Sequence, residues 1–246
     1  MKRFANASDW NSHQTVPIRG VLFDIDDTLV DLRGAALNGS LAISGPDLAH
    51  FHPDRQTDIA ADFADGGSQS YELYMSGELT FLGQRQVRLQ RAYQKAGILS
   101  PTGERYIRWA GEYEAKVRES WKPFNDVTAF LEILKKRNIP YGAVSNNVEE
   151  YQREKLRLSG LEGFRCVIGS DTAGVSKPHA APFLAGCAEL NSKPGHTLYI
   201  GDNPINDYQG AIDAGLQAIL LDRVSLHTDF AGFSVRDLTS LGTRFT

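Results

Sequence analysis

The chain has 246 residues, 41% hydrophobic and 23% charged, with a formal net charge of -4 at pH 7. That is ordinary globular composition, long enough for one sizeable core or for a core with a smaller second domain. The acid excess excludes a basic nucleic-acid footprint, and no apolar run approaches the ~20 residues that cross a bilayer, so neither nucleic acid nor a membrane is expected as a partner.

Residues 1–16 begin with Lys2 and Arg3 but hold no apolar stretch of the signal-peptide kind, and they read as a flexible leader. Residues 18–24, IRGVLFD, are a short apolar run ending on acid, the pattern of a buried strand with its carboxyl end at Asp24. From 33 to 120 no convincing strand occurs. Residues 54–80 read as one helix, 81–97 as a second closed by Gly97, and 101–120 as a third. Gly34 and the WKPF turn at 121–124 mark the junctions of this block. The expected organisation is an α/β core, 17–32 and 121–246, interrupted by an all-helical cap domain, 33–120.

Beyond 125, helix and strand alternate. Residues 125–138 carry Val127, Phe130, Leu131 and Leu134 at helical spacing, with Asn125 or Asp126 as candidate N-cap and basic residues in the last turn. Strand runs follow at 139–147, 165–171 (the weakest), 196–202 and 216–222, with helices near 148–159, 180–190 and 204–214. Alternation of this kind predicts a Rossmann-like, doubly wound parallel sheet with right-handed crossovers. Cys166 and Cys187 lie in apolar stretches without metal spacing and read as reduced core thiols of a cytoplasmic protein.

Polar residues gather at the carboxyl ends of these strands, where open α/β sheets bind ligands. Asp24 and Asp26 end the first strand; one can act as a nucleophile and the other as a general acid, or both can belong to a solvated acidic loop. Asp202 and Asp207 end another. Two acidic clusters facing each other need a cation, and a set of hard oxygen ligands describes Mg²⁺; the alternative for Asp207 is a carboxylate favoured by a helix N-terminus. Lys177, in SKPHAAPF, can neutralise a nucleophile and a transferring phosphoryl group, or can be a surface lysine. Ser145 and Asn146 can donate to phosphate oxygens, or can cap a helix.

Taken together these residues resemble the haloacid dehalogenase superfamily of phosphohydrolases, subfamily I. An apolar strand followed by D-x-D-x-T is matched by Asp24, Asp26 and Thr28; a strand ending in Ser or Thr by Ser145; a Lys-Pro by Lys177; and G-D-x-x-x-x-D by Gly201, Asp202 and Asp207. All four motifs stand in order, each at a strand end. The resemblance implies that Asp24 is the nucleophile and a Mg²⁺ ligand, and that Asp26 is the acid and base, its backbone carbonyl touching the metal. Thr28 and Ser145 would hold phosphoryl oxygens with Asn146 nearby, and Lys177 would balance charge. Asp202 would bind the metal, and Asp207 would bind it or orient its waters. The helical insert resembles the type 1 cap of this superfamily, a mobile lid. His179, Ala180 and Ala181 depart from the usual third motif.

The acid at Asp26 favours phosphate chemistry, since halide leaves without a proton. The expected activity is Mg²⁺-dependent hydrolysis of a small phosphorylated metabolite, of the nucleotide or sugar phosphate class, by a monomer or homodimer. The alternatives are a phosphomutase like β-phosphoglucomutase, or a phospho-accepting protein without turnover. Within the cap, Arg85, Arg88 and Arg91 recur every three residues in one helix, just after Tyr71 and Tyr74, and are candidate selectivity residues or a solvated helix face.

Overall fold

The computed structural model describes residues 16–65 and 68–242. Most of the expected leader, residues 1–15, lies outside the described residues. The chain divides into two compact units, one built from residues up to Val30 and from Pro123 onward, the other from Asp31–Lys122.

In the first unit six strands form one parallel sheet in the order β3-β2-β1-β4-β5-β6. They are β1 (Gly20–Phe23), β2 (Tyr141–Val144), β3 (Val167–Ile168), β4 (Thr197–Gly201), β5 (Gln217–Leu221) and β6 (Ser234–Val235). The first five fall inside the expected runs; β6, only two residues long, was not expected. Central β1 is apolar throughout because helices cover both faces of a parallel sheet. The connection from β1 runs to one side and β4 returns on the other, so strand order reverses between β1 and β4, the switch point where such sheets bind ligands.

The second unit is helical: α1 (Leu32–Leu48), α2 (Pro53–Asp65), α3 (Ser68–Met75), α4 (Phe81–Ala96) and α5 (Gly103–Ser120). Three expectations need correction. Residues 54–80 form two helices, and the sequence between them holds Gly66 and Gly67, residues of low helix propensity. A further helix, α1, precedes them. Gly34 is no junction: it lies in the first turn of α1, and its N–H donates to the Asp31 carboxylate at 2.7 Å. A Cβ at Gly34 would meet that carboxylate at 2.2 Å, so glycine is what allows the cap. By contrast α4 ends as expected, with Gly97 in the left-handed region at φ 75°. The unit's core stacks Trp109 on Tyr113, ring centroids 5.0 Å apart, with Phe63 edge-on to both.

Helices α6 (Val127–Lys136), α7 (Glu149–Leu158), α8 (Ser170–Ala173), α9 (Ala180–Glu189), α10 (Gly210–Asp213) and α11 (Thr239–Gly242) belong to the first unit, with a π-helical segment, Pro204–Gln209, leading into α10. Asp126 stands at the N-cap position of α6 but makes no capping bond. Its carboxylate instead accepts from Arg223 Nη1 at 3.0 Å and from the Leu238 N–H at 2.7 Å. Arg223 also donates to the Thr28 carbonyl at 2.8 and 3.2 Å, which ties the segment after β5 to the loop after β1. Among the described residues no helix is long and apolar enough to cross a membrane.

Candidate active site

The site is assembled at the carboxyl end of the sheet. The Asp24 N–H donates to the Ile200 carbonyl at 2.9 Å, so the end of β1 is pinned to β4 just before the acidic loop begins. That loop is a tight turn: the Leu29 and Val30 N–H groups donate to the Ile25 carbonyl, and the Asp27 N–H donates to the Val30 carbonyl. Asp27 takes φ 57°, a left-handed conformation that aspartate tolerates better than most residues.

Lys177 is the hub. Its Nζ, buried, donates to Asp24 Oδ1 at 2.6 Å and Asp207 Oδ1 at 2.7 Å, with the Tyr199 hydroxyl at 2.9 Å and the Val144 carbonyl at 3.0 Å also in reach. Three N–H bonds are thus shared among four oxygens, which leaves the ammonium fully satisfied. Asn146 holds this lysine in place. Its Nδ2 donates to the Lys177 carbonyl at 2.9 Å and its Oδ1 accepts from the Lys177 N–H at 2.6 Å. Both ends of the Asn146 amide therefore grip the Lys177 backbone.

Asp207 folds back against β4. Its Oδ2 accepts from the Asn203 N–H at 2.9 Å, and its Oδ1 lies 3.1 Å from the Tyr199 hydroxyl. A Cβ at Gly201 would sit 2.4 Å from Asp207 Cγ. The glycine and the distant aspartate of the G-D-x-x-x-x-D pattern are therefore one steric unit: only glycine leaves room for that carboxylate. Asp202 is different. Among the described residues no side chain or backbone group pairs with its carboxylate.

Asp26 stands apart from this cluster. Its Oδ2 accepts from Gln152 Nε2 at 2.8 Å, and its Oδ1 pairs with Lys155 Nζ. Ser145 Oγ accepts from the other Gln152 N–H at 2.7 Å and from the Asn147 N–H at 3.2 Å, so its own proton is the group left to donate. The Thr28 hydroxyl is buried and has no partner among the described residues.

Burial dominates the protonation of the acids. Asp24 is pushed up to about 7, first by burial; Lys177 opposes this, and Asp207 and Asp26 add to it. Asp202 is pushed up to about 9 by burial, then by the charges of Asp24, Asp207 and Asp27. For Lys177 burial acts downward, but Asp207 and Asp24 outweigh it and hold the ammonium well above its usual range. Asp24, Asp26, Asp27, Asp202 and Asp207 bring five carboxylates together against the buried lysines Lys155 and Lys177, an acid excess that a divalent cation would offset. Asp24, Asp202 and Asp207 each offer an oxygen, and these oxygens lie within 4.8 Å of one another. Ligands on an octahedron with bonds of about 2.1 Å stand roughly 3 to 4 Å apart, so the all-oxygen set fits Mg²⁺ with small adjustment.

The cap arginines do not form an open set. Arg85 is buried, its Nη2 2.5 Å from Glu114 Oε2 and its guanidinium over the Phe81 ring. Arg88 donates to the Phe63 carbonyl at 3.0 Å and the Ala64 carbonyl at 2.8 Å. Arg91 is exposed. Steps of three residues turn a helix by about 60° each, so the three drift across an arc of about 120°, from buried Arg85 to exposed Arg91. Three residues that sequence reasoning missed are Tyr199, Gln152 and Lys155. Tyr199 reads as an apolar strand residue. Gln152 and Lys155 share the face of α7 that carries buried Leu156, and that spacing is the signal by which they are found.

A family model for haloacid dehalogenase-like hydrolases matches residues 18–215, and the chain belongs to that family. Several of its curated relatives are phosphatases. The phosphoglycolate phosphatase of Aquifex aeolicus is 26% identical over 82% of this chain and 81% of its own length. The phosphoserine phosphatase of Thermus thermophilus is 32% identical over 43% of each chain, so this chain spans less than half of that relative. Among solved structures, Bacillus subtilis YfnB, crystallised bound to magnesium, superimposes with a TM-score of 0.72 at 21% identity, covering 93% of this chain and 99% of that one.

Proposed function

We propose that the protein is a Mg²⁺-dependent phosphomonoesterase of small phosphorylated metabolites, working through an aspartyl phosphate on Asp24. The observation that carries this reading is the division of the acids: Asp24 is buried against Lys177, while Asp26 is held separately by Gln152 and Lys155. Two carboxyl groups in different surroundings take different tasks.

Lys177 occupies Asp24 Oδ1, which leaves Oδ2 to attack phosphorus. The P–O bond to the alcohol breaks and Asp26 gives the leaving oxygen its proton. Water then attacks the phosphorus, loses its proton to Asp26, and the bond to Asp24 breaks, restoring both carboxyl groups. Ser145 donates its free proton to a phosphoryl oxygen, the Thr28 hydroxyl is a second donor, and Lys177 balances the charge that develops. Asp24, Asp202 and the Asp26 backbone carbonyl, with Asp207 alongside, would hold Mg²⁺, which when bound would supply charge neutralisation at the phosphoryl group. Asn146 serves this chemistry by fixing Lys177. The residues 31–122 unit carries none of these groups and is the proposed source of substrate selectivity. The two free buried thiols, Cys166 and Cys187, favour a cytoplasmic setting.

The test is phosphate release from a panel of phosphoglycolate, phosphoserine, sugar phosphates and nucleoside monophosphates, with and without Mg²⁺. Free phosphate from at least one member, only with the metal, is expected. An isomerised sugar phosphate without free phosphate would mean a mutase; a stable phosphoprotein without release would mean an acceptor protein.

A further inference from the structure

We propose that Gln152 and Lys155 of helix α7 are positioning residues for Asp26, holding its carboxyl group where it serves both the leaving oxygen and the attacking water; the proposal rests on the acid–base role given to Asp26 above. Asp26 sits on a tight loop, and nothing in that loop's backbone bonds fixes its side chain. Both fixing contacts come from α7, 126 and 129 residues further along the chain.

The chemistry of the pair is specific. Gln152 is fully buried, and its two N–H groups are divided between Asp26 Oδ2 and Ser145 Oγ. The amide orientation is dictated, since its carbonyl end would repel the carboxylate. One side chain therefore sets the acid and also forces the Ser145 hydroxyl to donate outward. Its Oε1 is buried with no partner among the described residues, an arrangement that packing alone would not favour over an apolar residue. Lys155 is likewise fully buried, its Nζ paired with the Asp26 carboxylate and 5.1 Å from the Tyr151 ring centroid. The Asp26 side chain keeps 23% of its surface exposed, the edge from which it meets substrate.

A small misplacement of an acid–base group lowers the rate without weakening binding. The test uses the full chain with Mg²⁺ and two esters of similar size, phenyl phosphate and p-nitrophenyl phosphate. Phenol, with a pKa of about 10, needs a proton to leave far more than nitrophenol does. Gln152→Met, Lys155→Met and Lys155→Arg are compared alone and in an Asp26→Asn background, each checked for folding by circular dichroism. Gln152→Met and Lys155→Met are expected to lower kcat for phenyl phosphate on the order of tenfold, with KM nearly unchanged and a clearly smaller loss on p-nitrophenyl phosphate. Once Asp26 is asparagine, Lys155→Met should not lower it further and Gln152→Met should lower it clearly less than it does alone, the remainder acting through Ser145, and Lys155→Arg should recover part of the loss. If Lys155→Met does not fold, Gln152→Met and Lys155→Arg carry the same comparison. Equal losses on both esters, a full additional loss in the Asp26→Asn background, or wild-type kcat in the single variants overturns the positioning role while Asp26 keeps its own. An Asp26→Asn protein as active as wild type on phenyl phosphate overturns the acid–base reading, and this proposal with it.

Discussion

In the helical unit Arg85 meets Glu114, which also accepts from Arg118 Nε at 2.6 Å, and Arg88 is taken up by two carbonyls. In the α/β unit Lys177 lies between two carboxylates, Lys155 meets a third, and Asp202 has no partner among the described residues. Both units bury charge. One closes its account locally, and the other leaves an excess of acid at a single point on the sheet. Closed networks hold a structure together; an open one is poised to take a cation and an anionic group. The difference explains why Arg85 and Arg88, which look functional in the sequence, are taken up within their own unit, while Tyr199 and Gln152, which look structural, meet the acids at the sheet end.

Substitutions that break this contrast have ranked effects. Asp24→Asn is expected to lower kcat by on the order of a thousandfold or more, with the fold intact, as judged by steady-state assay and circular dichroism. Substantial residual activity would remove Asp24 from the chemistry. Lys177→Met strips the cation from two buried carboxylates and is expected to destabilise the unit by about 3–5 kcal/mol in denaturant unfolding and to abolish turnover. Arg85→Met should be comparable in stability, about 3 kcal/mol lost, but the folded fraction should turn over p-nitrophenyl phosphate at the wild-type rate. A selective loss of activity there would return Arg85 to substrate recognition. Arg91→Ala, on the exposed face of α4, should change stability by less than about 0.5 kcal/mol.

The same imbalance has a pH signature in the metal-free protein. Asp24 at about 7 and Asp202 at about 9 both stand above their ordinary value of 3.8. Between the unfolded and folded values the native state holds more protons than the unfolded chain, so stability falls as pH rises. The melting temperature of the metal-free protein should therefore drop from pH 5 to pH 9. Mg²⁺ should flatten that slope, and Asp202→Asn should reduce it. A flat profile without metal would mean that the carboxylates are already balanced.

Much of the α/β unit was legible because a parallel strand buried on both faces writes an apolar run, and because chemistry collects where each run stops. Asp24, Ser145 and Asp202 announce themselves by following such runs, and Lys177 by standing before Pro178 at the approach to a helix. Strand β6 was not legible because Ser234–Val235 lie in no apolar run, unlike the equally short β3, which follows Cys166 in one. Helix α1 was not legible because Gly34, Gly39, Gly45 and Pro46 argue against a helix, although Gly39 packs where a Cβ would meet Val117 at 2.9 Å. Tyr199 stayed hidden because its ring belongs to the core and only its hydroxyl reaches the site. Gln152 and Lys155 were hidden because polar residues on a helix read as solvent-facing until the opposite carboxylate, far away in sequence, is brought to them.

The account stands or falls on the covalent intermediate. The most direct measurement mixes the Mg²⁺-loaded protein with p-nitrophenyl phosphate, quenches it in acid within the first turnovers, and maps the phosphoryl group by peptide mass. The predicted result is one hydroxylamine-labile phosphoryl group on the peptide that contains Asp24, absent from Asp24→Asn. Turnover with no phosphopeptide, or a phosphoryl group on any other residue, would contradict it.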